Sequence, residues 1–298
     1  MHLGIEIGGT KLQIGVGDGI TDRIVSLERR TVDREQGAAG ILDQIAAVAA
    51  KLIDEHPIER IGIGFGGPVL NNSAITSHQI HGWDGFNFTA WARDKFSLPV
   101  AVDNDCNVAA LAEASMGAGR GYRRCFYVTV GTGIGGGLVC DGEIYGSDRP
   151  GVAEIGHLRP GLDCVNESQT VESVASGSGI ENQYATRLPL ASGSERVDAK
   201  QIVKFSADGD VVATEVLADA TRTLGWAVAQ VATLTSAEVV VIGGGVSLIG
   251  KPFLDAVRDS FVRFVFPPLR DSVRIEPSAL GEDVVIHGAL RLAAITSE

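Results

Sequence analysis

The sequence predicts an α/β chain folded as two related domains that face one another across a cleft, and three observations predict it. Strand-like stretches, alternating or continuously apolar, interleave with helix-periodic stretches along 298 residues, enough for two domains of ordinary size. A strand, glycine turn, strand unit at residues 3 to 16 recurs at residues 126 to 139 and is the internal repeat of the chain. Glycine is in excess, 38 residues against an average usage of about 7%, and many of them fall in three tight clusters rather than in a linker. The expected division is an N-terminal α/β domain over 1–117, completed by a C-terminal helix over 284–298, and a larger α/β domain over 118–283.

Composition narrows the function classes. A formal charge of -12 with no offsetting cluster of Lys and Arg opposes a nucleic-acid backbone, so no nucleic acid is expected as partner. No apolar run reaches membrane-spanning length, and no basic segment followed by an apolar one opens the chain, so no membrane contact and a cytoplasmic address are expected. Cys106, Cys125, Cys140 and Cys164 are scattered, three of them in apolar patterns, and read as buried thiols.

Taken in order, Leu3 to Ile7 leads into Gly8, Gly9, Thr10 and Lys11, and Leu12 to Val16 resumes the strand pattern, so the first cluster turns a β-hairpin. This spacing matches neither a dinucleotide fingerprint, whose glycines open a helix, nor a Walker A loop. Glycine still lets backbone N–H groups approach an anion, and Thr10 and Lys11 add a hydroxyl and a charge. Ile41, Leu42, Ile45, Val48 and Leu52 recur at helical spacing, and Ile61 to Phe65 is a buried strand ending at Gly66, Gly67 and Pro68. Asn71 to Asn87 carries His78, His81, Trp83 and Phe86 without periodicity, which fits a loop beside a ligand or a surface loop with packed aromatics. Trp91 to Phe96 reads as a short helix and Leu98 to Val102 as a strand.

Val100 to Glu113 then passes from strand into helix, with Asn104 and Asp105 at the junction. Read alone, either residue caps the helix. The same placement also suits a base, because the carboxylate stands on rigid elements at a helix N-terminus. Phe126 to Val130, GTGIGGG and Leu138-Val139 repeat the first hairpin, bringing Gly131, Thr132 and Gly133 to a second anion-binding position. Glu154 and His157 stand three residues apart, and Glu172 lies in the first turn of another helical segment. Thr214 to Thr235 is a long helix, Glu238 to Ile242 a strand leading into Gly243, Gly244 and Gly245, and a helix follows from about Pro252. Val284 to Ala294 is an apolar helix suited to packing on the first half of the chain.

In order and spacing, GIEIGGTK, GFGGPV, VDNDCNVAALAE, VTVGTGIGGG, AEIGH and VIGGGVS resemble the ROK family of sugar kinases and sugar-responsive repressors, over most of the chain. The resemblance implies the two-domain actin-like ATPase (ribonuclease H-like) fold. Repressor members carry a helix-turn-helix segment ahead of the sugar domain, whereas this chain begins on its first strand, so the resemblance points to the kinase branch. It implies ATP-dependent phosphorylation of a hexose at its 6-hydroxyl, with glucose the leading substrate and fructose, mannose or an N-acetylhexosamine as alternatives; a non-catalytic sugar-binding or regulatory protein is the alternative of another class. Asp105 resembles the general base, and Asn104, Glu154, His157 and Glu172, with the backbone at Gly66 and Gly67, resemble the sugar ligands. Gly8 to Lys11 and Gly131 to Gly133 resemble the two phosphate turns, and Gly243 to Gly245 the adenosine-side turn. Mg²⁺ is implied with ATP, and Glu6 stands where many kinases have Asp, directed at the Mg²⁺ shell. Many members follow the histidine with C-x-C-G-x-x-G-C-x-E, a structural zinc knot. This chain has Asp163, Val165 and Thr170 at the cysteine positions and Cys164 one place out of frame, so no zinc site is expected. A homo-oligomer, dimer or tetramer, is also implied.

Overall fold

The computed structural model describes residues 1–77, 79–161, 169–188 and 197–296. In chain order the elements are β1 (His2–Ile7), β2 (Lys11–Gly17), β3 (Ile24–Thr31), α1 (Gly37–Glu55), β4 (Arg60–Phe65), β5 (Val69–Leu70), β6 (Ser73–Ala74), α2 (Phe88–Phe96), β7 (Val100–Asn104) and α3 (Asp105–Met116). They continue with β8 (Arg124–Val130), β9 (Ile134–Cys140), β10 (Glu143–Ile144), α4 (Val171–Ala175), α5 (Gly177–Arg187) and α6 (Ala199–Ala207). The last are α7 (Val211–Thr235), β11 (Val239–Gly243), α8 (Lys251–Phe264), β12 (Arg274–Pro277) and α9 (Val284–Ile295).

The duplicated hairpin is the visible part of a larger repeat. One five-stranded sheet runs β3-β2-β1-β4-β7 and the other β10-β9-β8-β11-β12, so each places its third, second, first, fourth and fifth strands side by side. In the first, β1 pairs antiparallel with β2 and parallel with β4, and β4 pairs parallel with β7. In the second, β11 pairs parallel with both β8 and β12.

Chain packing divides the molecule into two compact units. The first comprises Met1–Arg123, Gly137–Val152 and Ala279–Glu298; the second comprises Arg124–Gly136 and Ala153–Ser278. Residues 137–152, which the sequence reading groups with the later domain, therefore cluster with the first unit. Gly137 provides the reason: a methyl group there would lie 2.4 Å from Cys106 O, so its bare backbone lets α3 pack directly on the end of β9.

Alternation along the strands of the first sheet sorts its side chains into two unlike faces. Leu3, Ile5, Ile7, Leu12, Ile14, Val16, Ile61, Ile63 and Phe65 join Ile41, Ile45, Val48 and Leu52 of α1 in one apolar core. The opposite face is glycine-lined, and α9 docks on it so closely that a methyl group at Gly62 would lie 1.8 Å from Ala289 O. The repeated glycines of GIEIGG, IGVG and IGIGFGG are thus helix-packing positions as well as turn positions. Glu6, the residue between Ile5 and Ile7, falls on this α9 face.

Several elements differ from the sequence reading. The turn of the second hairpin is only Gly131 to Gly133, because β9 already begins at Ile134 and takes Gly135, Gly136 and Gly137 as strand residues. The polar edge strand β3 and the short β12 carry too little apolar alternation to be read in advance. α7 starts at Val211, where the Asp210 side chain accepts the N–H of Ala213. The aromatic stretch packs: Trp83 lies edge-on to Phe65, ring centroids 5.1 Å apart, and Phe86, Phe88, Trp91 and Phe96 extend the cluster. His78 lies outside the described residues. Among the described residues, no helix is long and apolar enough to cross a membrane; Cys106 and Cys125 are buried, whereas Cys140 is half-buried and Cys164 lies outside the described residues.

Candidate active site

In the first unit the site residues gather where β1, β4 and β7 end. Asn104 is the N-cap of α3: its Oδ1 accepts the N–H groups of Cys106 at 2.8 Å and Asn107 at 3.3 Å, while its Nδ2 donates to Gly67 O at 3.2 Å. The cap role therefore belongs to Asn104. Asp105, the first residue of the helix, accepts the Cys106 N–H through Oδ1 at 2.8 Å. Its Oδ2 lies on the side of Gly66, where a methyl group would be 3.6 Å from that oxygen and 3.6 Å from the Gly8 Cα. The candidate base and the first glycine turn thus both border the space that a Gly66 side chain would occupy, and the Ile7 carbonyl, 3.1 Å from that methyl position, is the tight neighbour there.

Two buried carboxylates brace this corner. Asp103 accepts the Asn104 N–H at 2.7 Å and Asn107 Nδ2 at 2.8 Å, fixing the strand-to-helix junction from below. Burial pushes its carboxyl above the ordinary value, against the pull of those two hydrogen bonds. Glu6 accepts Gln13 Nε2 at 2.7 Å and lies 3.3 Å from Lys11 Nζ. Burial also pushes Glu6 up, Lys11 opposes it, and the nearby charge of Asp105 adds to the rise. Lys11 is consequently committed to Glu6 and to the Glu282 carbonyl, 3.1 Å away.

In the second unit the predicted residues gather around Ile134. Glu172 Oε2 accepts the Ile134 N–H at 2.7 Å, and a methyl group at Gly133 would lie 2.4 Å from the same oxygen. On the other side, Gly156 packs against the Ile134 carbonyl, where a methyl group would lie 2.1 Å away. Gly156 belongs to the single 3-10 turn Ile155–His157, which carries Glu154 and His157 at its two ends, both exposed. Ala153, just before it, has a left-handed φ of 61°, a costly conformation for a residue with a Cβ and one that redirects the chain into Glu154.

The other two glycine clusters also adjoin. Gly177 N donates to Gly131 O at 2.8 Å and Ser178 N to Thr132 O at 3.3 Å, tying the start of α5 to the second hairpin turn. Gly244, with φ 86°, approaches Val130, whose carbonyl would lie 2.6 Å from a methyl group there. Gly131, Thr132 and Gly245 then line a cavity of about 610 Å³ with Ser178, Glu181 and Lys200. Gly243 packs behind, against the Tyr127 hydroxyl.

The sequence reading missed Gln13, Asp103, Gly177, Ser178, Glu181 and Lys200. Gln13 and Asp103 were detectable as polar residues inside apolar strands, whereas the cavity residues come from a stretch of mixed pattern. The former zinc-knot positions Asp163 and Val165, with Cys164, lie outside the described residues. Among the described residues, no group of three or more His, Cys, Asp or Glu side chains could hold a metal ion.

Known proteins extend this geometry. The chain is 30% identical to a glucokinase of Halalkalibacterium halodurans, covering 96% of this chain and 93% of that protein. It is 29% identical to a glucokinase of Thermotoga maritima, covering 96% and 95%. Among solved structures, a ROK family glucokinase from Streptomyces griseus in complex with glucose and AMPPNP superposes with a TM-score of 0.81 at 31% identity, covering 98% of both chains. A ROK hexokinase from Thermus thermophilus superposes at 0.83 and 28% identity, covering 98% of this chain and 97% of the other. Solved structures of this family share the two-sheet α/β architecture found here. The profile of the ROK family matches residues 2–295, and the chain belongs to that family.

Proposed function

We propose that this ROK protein is a sugar kinase that transfers the γ-phosphoryl group of ATP to the 6-hydroxyl of a hexose, glucose first among candidates. The observation that carries the reading is the juxtaposition at Gly66: the Asp105 carboxylate and the first glycine turn border the same side-chain-free position. Phosphoryl transfer needs little more than a base on the attacking hydroxyl and donors around the phosphates, because positioning and charge stabilisation supply most of the acceleration. Asp105 takes the hydroxyl proton, and Asn104 orients the sugar from the same junction. Glu154, His157 and Glu172 supply further acceptors and donors for hydroxyls in the second unit, and unpaired polar groups there reject wrong epimers. The glycine turns Gly8 to Lys11 and Gly131 to Gly133 serve the phosphates, with Gly243 to Gly245 on the adenosine side. Buried Glu6 is a hard oxygen donor beside the first turn and suits one position of a Mg²⁺ shell otherwise filled by phosphates and water. Bound there, Mg²⁺ neutralises phosphate charge. The relatives named glucokinase and the glucose complex support the choice of sugar.

A coupled assay for ADP release over a panel of hexoses and N-acetylhexosamines, run beside Asp105→Asn, tests the proposal. Turnover on one or more hexoses, lost by at least about a hundredfold in the variant, is the expected result. Wild-type protein that binds a sugar yet releases no ADP would instead identify a sugar-responsive regulator.

A further inference from the structure

We infer that Arg34 is the positioning residue of the first phosphate turn, orienting the Gly9–Thr10 peptide so that its N–H faces the donor; the inference rests on the kinase reading above.

Three carbonyls of this turn are engaged. Lys11 O accepts the Gly8 N–H at 3.0 Å, Thr10 O accepts the Val32 N–H at 3.1 Å, and Gly9 O accepts Arg34 Nε at 2.8 Å. Among the described residues, neither the Gly9 nor the Thr10 N–H has an acceptor. A trans peptide points its C=O and its N–H in opposite directions. Holding the Gly9 carbonyl toward Arg34 therefore aims the Thr10 N–H away from Arg34, out of the turn, and successive N–H groups presented in this way form an anion-binding concavity. Without the guanidinium the same peptide is free to rotate and offer the anion a carbonyl oxygen instead.

The surroundings of Arg34 fit the role. Its Nη2 lies 3.4 Å from Gln79 Oε1, a neutral acceptor, and a methyl group at Gly9 would collide with that same oxygen. Gln79 thus backs the guanidinium and covers the far side of Gly9. The neighbouring carboxylate, Asp33, is engaged by the Glu35 N–H at 3.0 Å and Gln36 Nε2 at 2.7 Å. Among the described residues, no carboxylate pairs with Arg34. Lys11, the cation that the sequence singles out, is neutralised by Glu6. The uncompensated positive charge at this turn is consequently that of Arg34, one peptide unit behind the phosphate position, where it polarises the amide it holds.

The test uses the full chain with Arg34→Gln, which can still donate to the Gly9 carbonyl but lacks the charge, Arg34→Ala, Arg34→Lys and the control Arg30→Ala. Arg30 is a β3 residue paired with Glu28. Measured quantities are kcat, KM for MgATP, KM for hexose, the calorimetric Kd for MgATP and the thermal midpoint. Arg34→Ala is expected to raise KM and Kd for MgATP about tenfold, with the hexose KM and the midpoint held. Arg34→Gln should fall between Ala and wild type, Arg34→Lys should recover more, and Arg30→Ala should match wild type. Unchanged MgATP constants in Arg34→Ala would overturn the inference. So would an equal rise in Arg30→Ala, or a rise matched by the hexose KM and a lowered midpoint. Wild-type protein that turns over no sugar defeats the kinase reading rather than this one. The MgATP Kd then decides alone, weakened in Arg34→Ala if the inference holds and unchanged if it fails.

Discussion

Glu172 Oε2 accepts the Ile134 N–H at 2.7 Å, so the carboxylate proposed for the sugar also closes the second glycine turn. Removing it should uncouple two effects. Glu172→Ala leaves that N–H without its acceptor and should cost about 1–3 kcal/mol in urea unfolding. Glu172→Gln retains an oxygen for the N–H and should keep most of the stability while raising the hexose KM. An Ala variant as stable as wild type would remove the turn-closing role.

Glu113 carries a larger structural load. It is fully buried on α3 and accepts the N–H groups of Ala118 at 2.7 Å, Ala279 at 3.0 Å and Leu280 at 3.2 Å. Three backbone donors lose their acceptor in Glu113→Ala, and a loss of about 3 kcal/mol or more is expected from chemical denaturation. Glu113→Gln, which accepts through one oxygen only, should fall between.

The glycine-lined face of the first sheet predicts intolerance to a single methyl group. Gly62→Ala would set its Cβ 1.8 Å from Ala289 O, and Gly288→Ala 1.9 Å from Val108 O. Backbone cannot yield as a flexible side chain does, so each should cost about 3 kcal/mol or fail to fold. Gly121→Ala meets no neighbouring atom but has φ 92°, so its cost should be only that of backbone strain, about 1 kcal/mol.

His287, buried on α9, gives the fold an acid-side dependence. Burial pulls its imidazole below the ordinary 6.5, while Asp283, Asp22 and Glu113 act in the other direction. As pH falls, the unfolded chain takes up this proton first. The contribution of neutral His287 is therefore full above pH 6.5 and is lost as pH falls from there toward the lowered folded value. The urea midpoint should drop as pH falls below 6.5, and His287→Gln should flatten that drop. An identical slope in the variant would assign the effect elsewhere.

Glu6 has the opposite sign. Its carboxyl is raised by burial from 4.5, so the folded chain holds this proton after the unfolded chain has lost it, and ionisation costs stability as pH rises through the raised value. Glu6→Gln should raise the unfolding midpoint near neutral pH, with the gain shrinking toward pH 4.5, while lowering kcat. A variant less stable than wild type at neutral pH would mean that the Lys11 pair outweighs the burial.

How much was legible depended on where the information lies. The two hairpins could be read because strand, glycine and strand are local signals, whereas the matching sheet orders rest on parallel pairings between distant strands. The site residues were readable where a motif holds them together, as at Asn104 and Asp105. Arg34 and Gln79 were not, because they reach Gly9 from 25 and 70 residues away and no local pattern marks that approach. β3 escaped because an edge strand exposed along much of its length needs no apolar face. Gly62 and Gly64 lay inside a stretch readable only as a buried strand, and that they are packing positions is a distinction that only the docked α9 makes.

The aromatic cluster offers an optical readout of the molecule. Of the three tryptophans, Trp83 and Trp91 lie within it, and Trp83 touches Phe65, the residue immediately before Gly66. Trp226 belongs to α7 in the other unit. Trp226→Phe therefore leaves indole emission from the first unit alone, so a fluorescence titration with sugar or nucleotide reports the neighbourhood of Gly66 without any attached dye. The complementary pair of changes, Trp83→Phe with Trp91→Phe, isolates the second unit, and together the two proteins would time the response of each half separately.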